Sequence, residues 1–565
     1  MCLRQNDKSW VNRSPIIPWT LLDADQHSVF GSPGTTVVRQ KVTTKHGWLG
    51  DYDYRWLCLP SLPTARRKQP PFFGIDDELP LVLAMTSGLQ HALAMLAGLI
   101  APPIIFASSL MLDPATSSYM ISASLIGSGT RHSKFSPIVT LQVVGGYYLG
   151  TGLLSVVGTS FATLSTANAI FNMMYANGTC PSTTAMDGTI TRSPCPDAYG
   201  MLLGTSLICA FLEIGLSFLP PRVLQRIFPP MVTGTVILMI GASLVGSSGI
   251  LDWGGGSNGC QARPTSGIYQ LCPTVGSPHA LPWGSPQFIG LGFLSFVSII
   301  LTELFGSPFL KNASIIVGLR TITSAPAITF LWVHRFKINV YPPAILPMLA
   351  VYVSTTMEAI GDITASAEVS RIPVEGKDFD SRIQGGVLSD GIGGFISALF
   401  TVTPLSVFAQ NNGVISVTRC ANRTAGRWCC AFLIIFVPNP VLGGVTTFLF
   451  ASVAVSGLRV LSYVKYTRRD RFILAAALSF GIGDLLVPDI FTYLFDGVDN
   501  PSKGLQGLFE SITIVLSTPF LVSGIVALVL NLILPQDMLQ QDEDKEDVEV
   551  TQDLEIQVLE QERMM

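Results

Sequence analysis

Long apolar runs separated by polar loops fill most of this chain. Runs at 80–112, 149–171, 198–219, 227–248, 286–309, 341–361, 385–403, 471–487 and 509–534 are each long enough for a helix to cross a hydrocarbon core, which takes about 17–25 residues. The pattern predicts an all-α polytopic membrane protein. Residues 1–78 are polar and mixed, without the charged-then-apolar order of a cleaved signal peptide. They read as a cytoplasmic N-terminal segment, 79–534 as the transmembrane domain, and 535–565 as an acidic cytoplasmic tail.

Composition supports the membrane reading, since only 13% of residues are charged against roughly 25% in soluble domains. The net charge of −4 hides an asymmetry: residues 536–565 hold eleven acids against Lys545 and Arg563, so the rest of the chain is basic. That surplus sits in short loops: Arg66–Lys68, Arg222 and Arg226, Arg371 to Arg382, Arg419 to Arg427, and Lys465 to Arg471. With the N terminus inside, a fourteen-span count puts all of them on the cytoplasmic side. The opposite loops hold the pairs Cys180 with Cys195 and Cys260 with Cys272, and the sequon Asn177-Gly178-Thr179. An oxidising compartment would permit a disulfide in each loop, and Asn177 is a possible glycosylation site.

Within the apolar pattern, QNNGVISVTR (410–419) places three adjacent carboxamides in a segment that otherwise reads as lipid-soluble. Unpaired polar groups in hydrocarbon cost several kcal/mol each, so these residues have partners or a ligand. SVVGTS (155–160) and SVFAQN (406–411) echo one another, as the broken helices of inverted-repeat transporters do at their midplane site. Pro404 supports a break before the second stretch. Three spans look truncated. The second, ISASLIGSG at 121–129, runs into Arg131, the seventh is interrupted by Arg320, and the eleventh, CCAFLIIFV at 429–437, is less than half a crossing.

Glu358 and Asp362 lie four residues apart and share a helix face, and Asp390 and His91 also sit in apolar surroundings. A carboxyl group at low dielectric can be protonated near neutral pH, which suits a proton carrier. Helix-packing acids and a structural histidine are the alternatives. No GxxxxGK[ST], HExxH or CxxC motif occurs, which points away from an ATPase, protease or dehydrogenase. Basic residues do not interleave with aromatics as a nucleic-acid surface needs. No enzyme activity, metal or cofactor is expected.

QNNGVISVTR fits the signature of the nucleobase–ascorbate transporter family: Gln or Glu, Asn, any residue, Gly, four residues, Thr, then Arg or Lys. GDYDY (50–54), GLQHALAM (88–95), GTGLLSVVGTSF (150–161), CPDAYGMLLG (195–204), PPRVLQRIFPPMVTGTV (220–236), EAIGDITA (358–365), FDSRIQGGVLSDGI (379–392) and SVFAQNNGVISVTRCANR (406–423) resemble its fungal xanthine–uric acid permease branch. The resemblance spans roughly 50–534. It implies fourteen transmembrane segments as two inverted seven-span repeats, core and gate domains, spans 3 and 10 broken by strand-like stretches, and a homodimer in the plasma membrane. It also implies proton-coupled purine uptake by an elevator-like movement. Substrate contacts would fall on Glu358, Gln410, the backbone near Phe161 and Ala409, and the Phe408 ring, with Ser160 behind them. Asn411 and Gly413 would shape the motif, and Thr418 and Arg419 would tune specificity or movement. A transport-inactive or sensor-like protein, given the truncated spans, and an anion exchanger of the same fold are the competing readings.

Overall fold

The computed structural model describes residues 44–50, 52, 54–58, 71–131, 142–144, 147–184, 190–250, 253–254, 284, 286–307, 309–310, 336–408, 410–435, 443–487, 490–491, 494–495, 498 and 502–535. The expected Cys260–Cys272 pair, the Arg320 interruption and the acidic tail lie outside these residues. After two short helices, α1 (Lys45–Leu49) and α2 (Tyr54–Cys58), come α3 (Leu81–Ser109), α4 (Pro114–Arg131), α5 (Phe161–Ala176), α6 (Pro196–Leu216), α7 (Pro221–Ile227), α8 (Pro230–Leu244) and α9 (Pro286–Phe305). The second half contains α10 (Ile345–Val369), α11 (Lys377–Leu399), α12 (Gln410–Thr418), α13 (Arg423–Ile435), α14 (Gly443–Leu461), α15 (Arg468–Leu486), α16 (Lys503–Leu516) and α17 (Pro519–Ile533).

Local chemistry sets many boundaries. Pro196, Pro230 and Pro519 open α6, α8 and α17 at the first helical position, where a missing N–H costs nothing. Thr467 and Asp470 form a reciprocal capping box on α15, satisfying two otherwise orphaned donors. Five helices among the described residues are long and apolar enough to cross a membrane: Leu81–Ser109, Pro196–Leu216, Pro230–Ile250, Phe288–Phe305 and Pro342–Val369. The fold is a helical, multi-pass membrane fold.

Two features depart from the apolar pattern. The run 509–534 is two helices, α16 and α17, which meet at 88°. Pro519 disfavours helix at the residue before it, and Thr518 is accordingly extended (φ −116°, ψ 102°). Strands are also more numerous than an all-α reading predicts. Besides β3 (Val157–Thr159) with β6 (Leu405–Val407), there are hairpins of β1 (Gln142–Val144) with β2 (Tyr147–Leu149) and β4 (Ser182–Thr184) with β5 (Ile190–Arg192). At two of the suspect places the described residues form α4, with 18 residues, enough for a crossing, and α13, with 13 described residues.

The neighbours of each helix reveal an internal exchange symmetry. Mapping α3, α4, β3–α5, α6 and α8 onto α10, α11, β6–α12, α13 and α14 turns observed packings into other observed packings. Thus α3 against α13 matches α10 against α6, α4 against α13 matches α11 against α6, and α3 against α12 matches α10 against α5. The equivalent strands β3 and β6 pair with each other antiparallel, with Gly158 opposite Ser406, as a two-fold exchange of one strand with the other requires. The equivalent helices α8 and α14 also pack on each other. A Cβ on Gly241 would lie 2.3 Å from the Ala454 nitrogen, and one on Gly457 would lie 2.3 Å from the Leu238 nitrogen. Small residues are therefore what allow these two backbones to touch.

Candidate functional site

At the centre of this exchange, β3 leads into α5 and β6 leads into α12. The ladder is extended at both ends, by the Ser160 N–H to the Pro404 carbonyl (2.8 Å) and by the Phe408 N–H to the Val156 carbonyl (2.8 Å). Backbone groups that a continuous helix would satisfy internally are thus paired across the break. Helix α3 supports β3 directly, since the Thr159 hydroxyl donates to the Gly98 carbonyl at 2.6 Å.

Phe161 is the first residue of α5, and Phe408 lies two residues before the first residue of α12. Their rings stack with centroids 5.2 Å apart and planes 11° apart. Ser160 caps α5, accepting from the Thr163 N–H at 3.2 Å, so the hydroxyl proposed to stand behind the contacts holds the helix start. Ala409 lies outside the described residues, and Gln410 opens α12.

The other two carboxamides have partners. Asn411 Nδ2 lies 2.8 Å from His91 Nδ1 on α3, and Asn412 Oδ1 accepts from the Ser366 hydroxyl on α10 at 2.7 Å. Two of the three amides in the signature therefore tie its helix to α3 and α10. Thr418 bonds back to the Val414 carbonyl at 2.7 Å within α12. Arg419 ends the helix in a left-handed conformation (φ 55°). A Cβ on Gly413 would meet nothing within 4 Å, so close packing is not the reason for a glycine there.

Glu358, Asp362 and Ser366 fall at successive helical turns of α10, all buried, and the last of them reaches α12. Asp362 is within electrostatic reach of Glu358 and Asp390. Asp390 on α11 accepts from the Ser406 hydroxyl of β6 at 3.1 Å. Glu358 Oε2 and Asp362 Oδ2 have no hydrogen-bond donor among the described residues. A buried carboxylate oxygen without a donor is costly, so this arrangement suits a group that receives a proton or an N–H from outside the protein.

Sequence reasoning misses Glu213 on α6. It is buried and lies 3.5 Å from the Thr355 hydroxyl of α10, and the signal was a lone acid in the apolar run FLEIGL. At the loop beyond α5, Cys180 and Cys195 form a disulfide. The Asn177 amide donates to Tyr341 Oη (2.5 Å) and Glu510 Oε2 (3.2 Å), so the sequon side chain joins α5, the approach to α10, and α16. Tyr341 Oη in turn donates to Glu510 Oε2 at 3.2 Å.

A model of the Permease family matches residues 83–490. The chain is 50% identical over 543 residues to a purine permease of Emericella nidulans, covering 90% of this chain and 92% of that protein. It is 46% identical over 541 residues to the uric acid-xanthine permease of the same fungus, covering 89% and 91%. The transmembrane domain of the cyanobacterial bicarbonate transporter BicA superposes with a TM-score of 0.42 at 12% identity, over 81% of this chain and 100% of that one.

Proposed function

The chain belongs to the nucleobase–ascorbate transporter family, and from there we propose that it is a proton-coupled symporter of xanthine and uric acid in the plasma membrane. As a family member it is a nucleobase transporter and not an enzyme. The names of its fungal relatives, a purine permease and a uric acid-xanthine permease, support purines over the inorganic anions of an exchanger.

The observation that carries the reading is Glu358, a buried carboxylate with an oxygen unmatched among the described residues, on the helix whose next turns pack against α12. Xanthine and urate are planar and present rows of N–H donors and C=O acceptors. Glu358 accepts only, whereas Gln410 both accepts and donates, and together they match such an edge. Phe408 gives a stacking surface, and the backbone at Phe161 and Ala409 supplies further contacts, with Ser160 behind them. Asp362, Asp390 and His91 serve coupling, Asn411 and Gly413 shape the motif, and Thr418 and Arg419 tune specificity or movement.

The protein works as a homodimer of fourteen-span protomers, with both termini cytoplasmic and a core domain sliding against a gate domain. Uptake of labelled xanthine into cells without purine transporters tests the reading. Saturable, proton-dependent uptake supports it, and a surface-localised protein with none refutes it.

A further inference from the structure

The chain just after the signature helix is paired with the segment that precedes α3. Phe73 donates its N–H to the Arg419 carbonyl (2.9 Å) and accepts from the Ala421 N–H (2.9 Å), a parallel bridge centred on Phe73 and Cys420. The Asn422 amide donates to the carbonyls of Gly74 (3.2 Å) and Asp77 (2.6 Å). Its oxygen accepts from the Thr424 N–H at 2.9 Å at the start of α13. Asp77 closes its own turn by accepting from the Gly74 N–H at 2.6 Å. Arg423 adds an ion pair to Asp76 (3.3 Å) and a hydrogen bond to the Gly152 carbonyl (3.0 Å), and Arg382 of α11 reaches the neighbouring Thr151 carbonyl at 2.8 Å. Residues 73–77 therefore join the end of α12, the start of α13 and the approach to β3.

Apolar contacts tie the same segments a second time. A cluster separate from the main core contains Tyr52, Leu57 and Leu83, together with Leu154 from the approach to β3 and Ile415 from α12. The Tyr52 ring lies 6.1 Å from that of Phe73. Because α12 is a rod of nine residues, a shift at its Arg419 end is transmitted to Gln410 at the other.

We propose that residues 73–77 are a brace that positions the signature helix, with Asn422 as the positioning residue, so that the segment before α3 sets the affinity and selectivity of the solute site. This rests on the purine-transport reading for its readout. Misplacement of binding groups by about 1 Å costs up to about a hundredfold.

Asn422→Asp keeps the oxygen that caps α13 but removes the donor to Gly74 and Asp77, whereas Asp77→Ala opens the turn from the other side. Each variant is measured for surface amount, for xanthine KM and Vmax, for competition by uric acid, and for amide exchange at Phe73 and Ala421. Faster exchange is expected in both, with xanthine KM or the uric acid competition ratio shifted by roughly ten- to a hundredfold at unchanged surface amount. Faster exchange with unchanged KM and ratio would overturn the positioning role, and unchanged exchange would overturn the brace. Wild-type protein that takes up no purine overturns the transport reading and the site role with it, whereas the exchange arm still reads the brace by itself, so the two failures are told apart.

Discussion

Phe161 and Phe408, from opposite halves of the molecule, stack with ring centroids 5.2 Å apart. One face of each ring is thereby taken, and a planar solute that stacks on Phe408 uses the other face. Space around the ring is tight: a Cβ on Gly158 would lie 2.3 Å from Phe408 Cζ.

Gly158→Ala therefore drives a methyl group into the Phe408 ring. Overpacking of this kind costs about 1–3 kcal/mol, and the ring tilts away from its stack. Phe408→Ala forfeits stacking of about 0.5–1.5 kcal/mol, roughly two- to tenfold in affinity. Xanthine KM at matched surface amount is expected to rise in both variants, and wild-type KM in Phe408→Ala would exclude the ring from the site.

Asn411 and His91, 2.8 Å apart, are expected to behave as one unit. Removing either breaks this buried hydrogen bond, at about 1–3 kcal/mol. Asn411→Ala and His91→Ala should each lower thermal stability in detergent, and the double variant should lose clearly less than the two losses combined. Strict additivity would show that the bond contributes nothing.

The sequence makes some of this visible and hides the rest for identifiable reasons. Glu358 and Asp362 are legible as a pair because their spacing is a helical turn, and SVVGTS and SVFAQN stand out as an echo. Their mutual pairing as antiparallel strands is not legible, because backbone hydrogen bonds leave no side-chain signature. The docking of Phe73 on Arg419 and Ala421 is hidden in the same way within a segment that reads as a polar tail. Partners such as Ser366 for Asn412 depend on how distant helices meet. The break at Pro519 within 509–534 is missed because the apolar run around it reads as one span.

Three buried carboxyl groups, Glu358, Asp362 and Asp390, lead us to expect that a proton accompanies the solute. A carrier that loads its proton from outside has fewer protons to load as external pH rises, so uptake is expected to fall. A protonophore should also abolish it. Asp390→Asn still accepts from Ser406 but carries no proton, and a flattened pH profile is expected. Sodium dependence without any response to pH would contradict this coupling.

The nine apolar residues 429–437 would cover about 14 Å as a helix, against a hydrocarbon core about 30 Å thick. The transcript is therefore expected to encode additional residues near 437, and likewise near 130 and 320. Sequencing the full-length message decides it. A message matching these 565 codons, with normal surface amount and xanthine uptake, would show that the short helices suffice.

Labelled xanthine uptake by the wild type beside Glu358→Ala and Gln410→Ala, at equal surface amount in cells without purine transporters, examines the proposed clamp itself. Each substitution removes hydrogen bonds to a buried solute, worth about 1.5–3 kcal/mol where one partner is charged, or roughly ten- to over a hundredfold in affinity. Saturable uptake in the wild type, with uptake lost or KM raised to that extent in both variants, is the expected result. Wild-type competition curves in both variants would contradict the assignment of Glu358 and Gln410 as the residues that hold the purine.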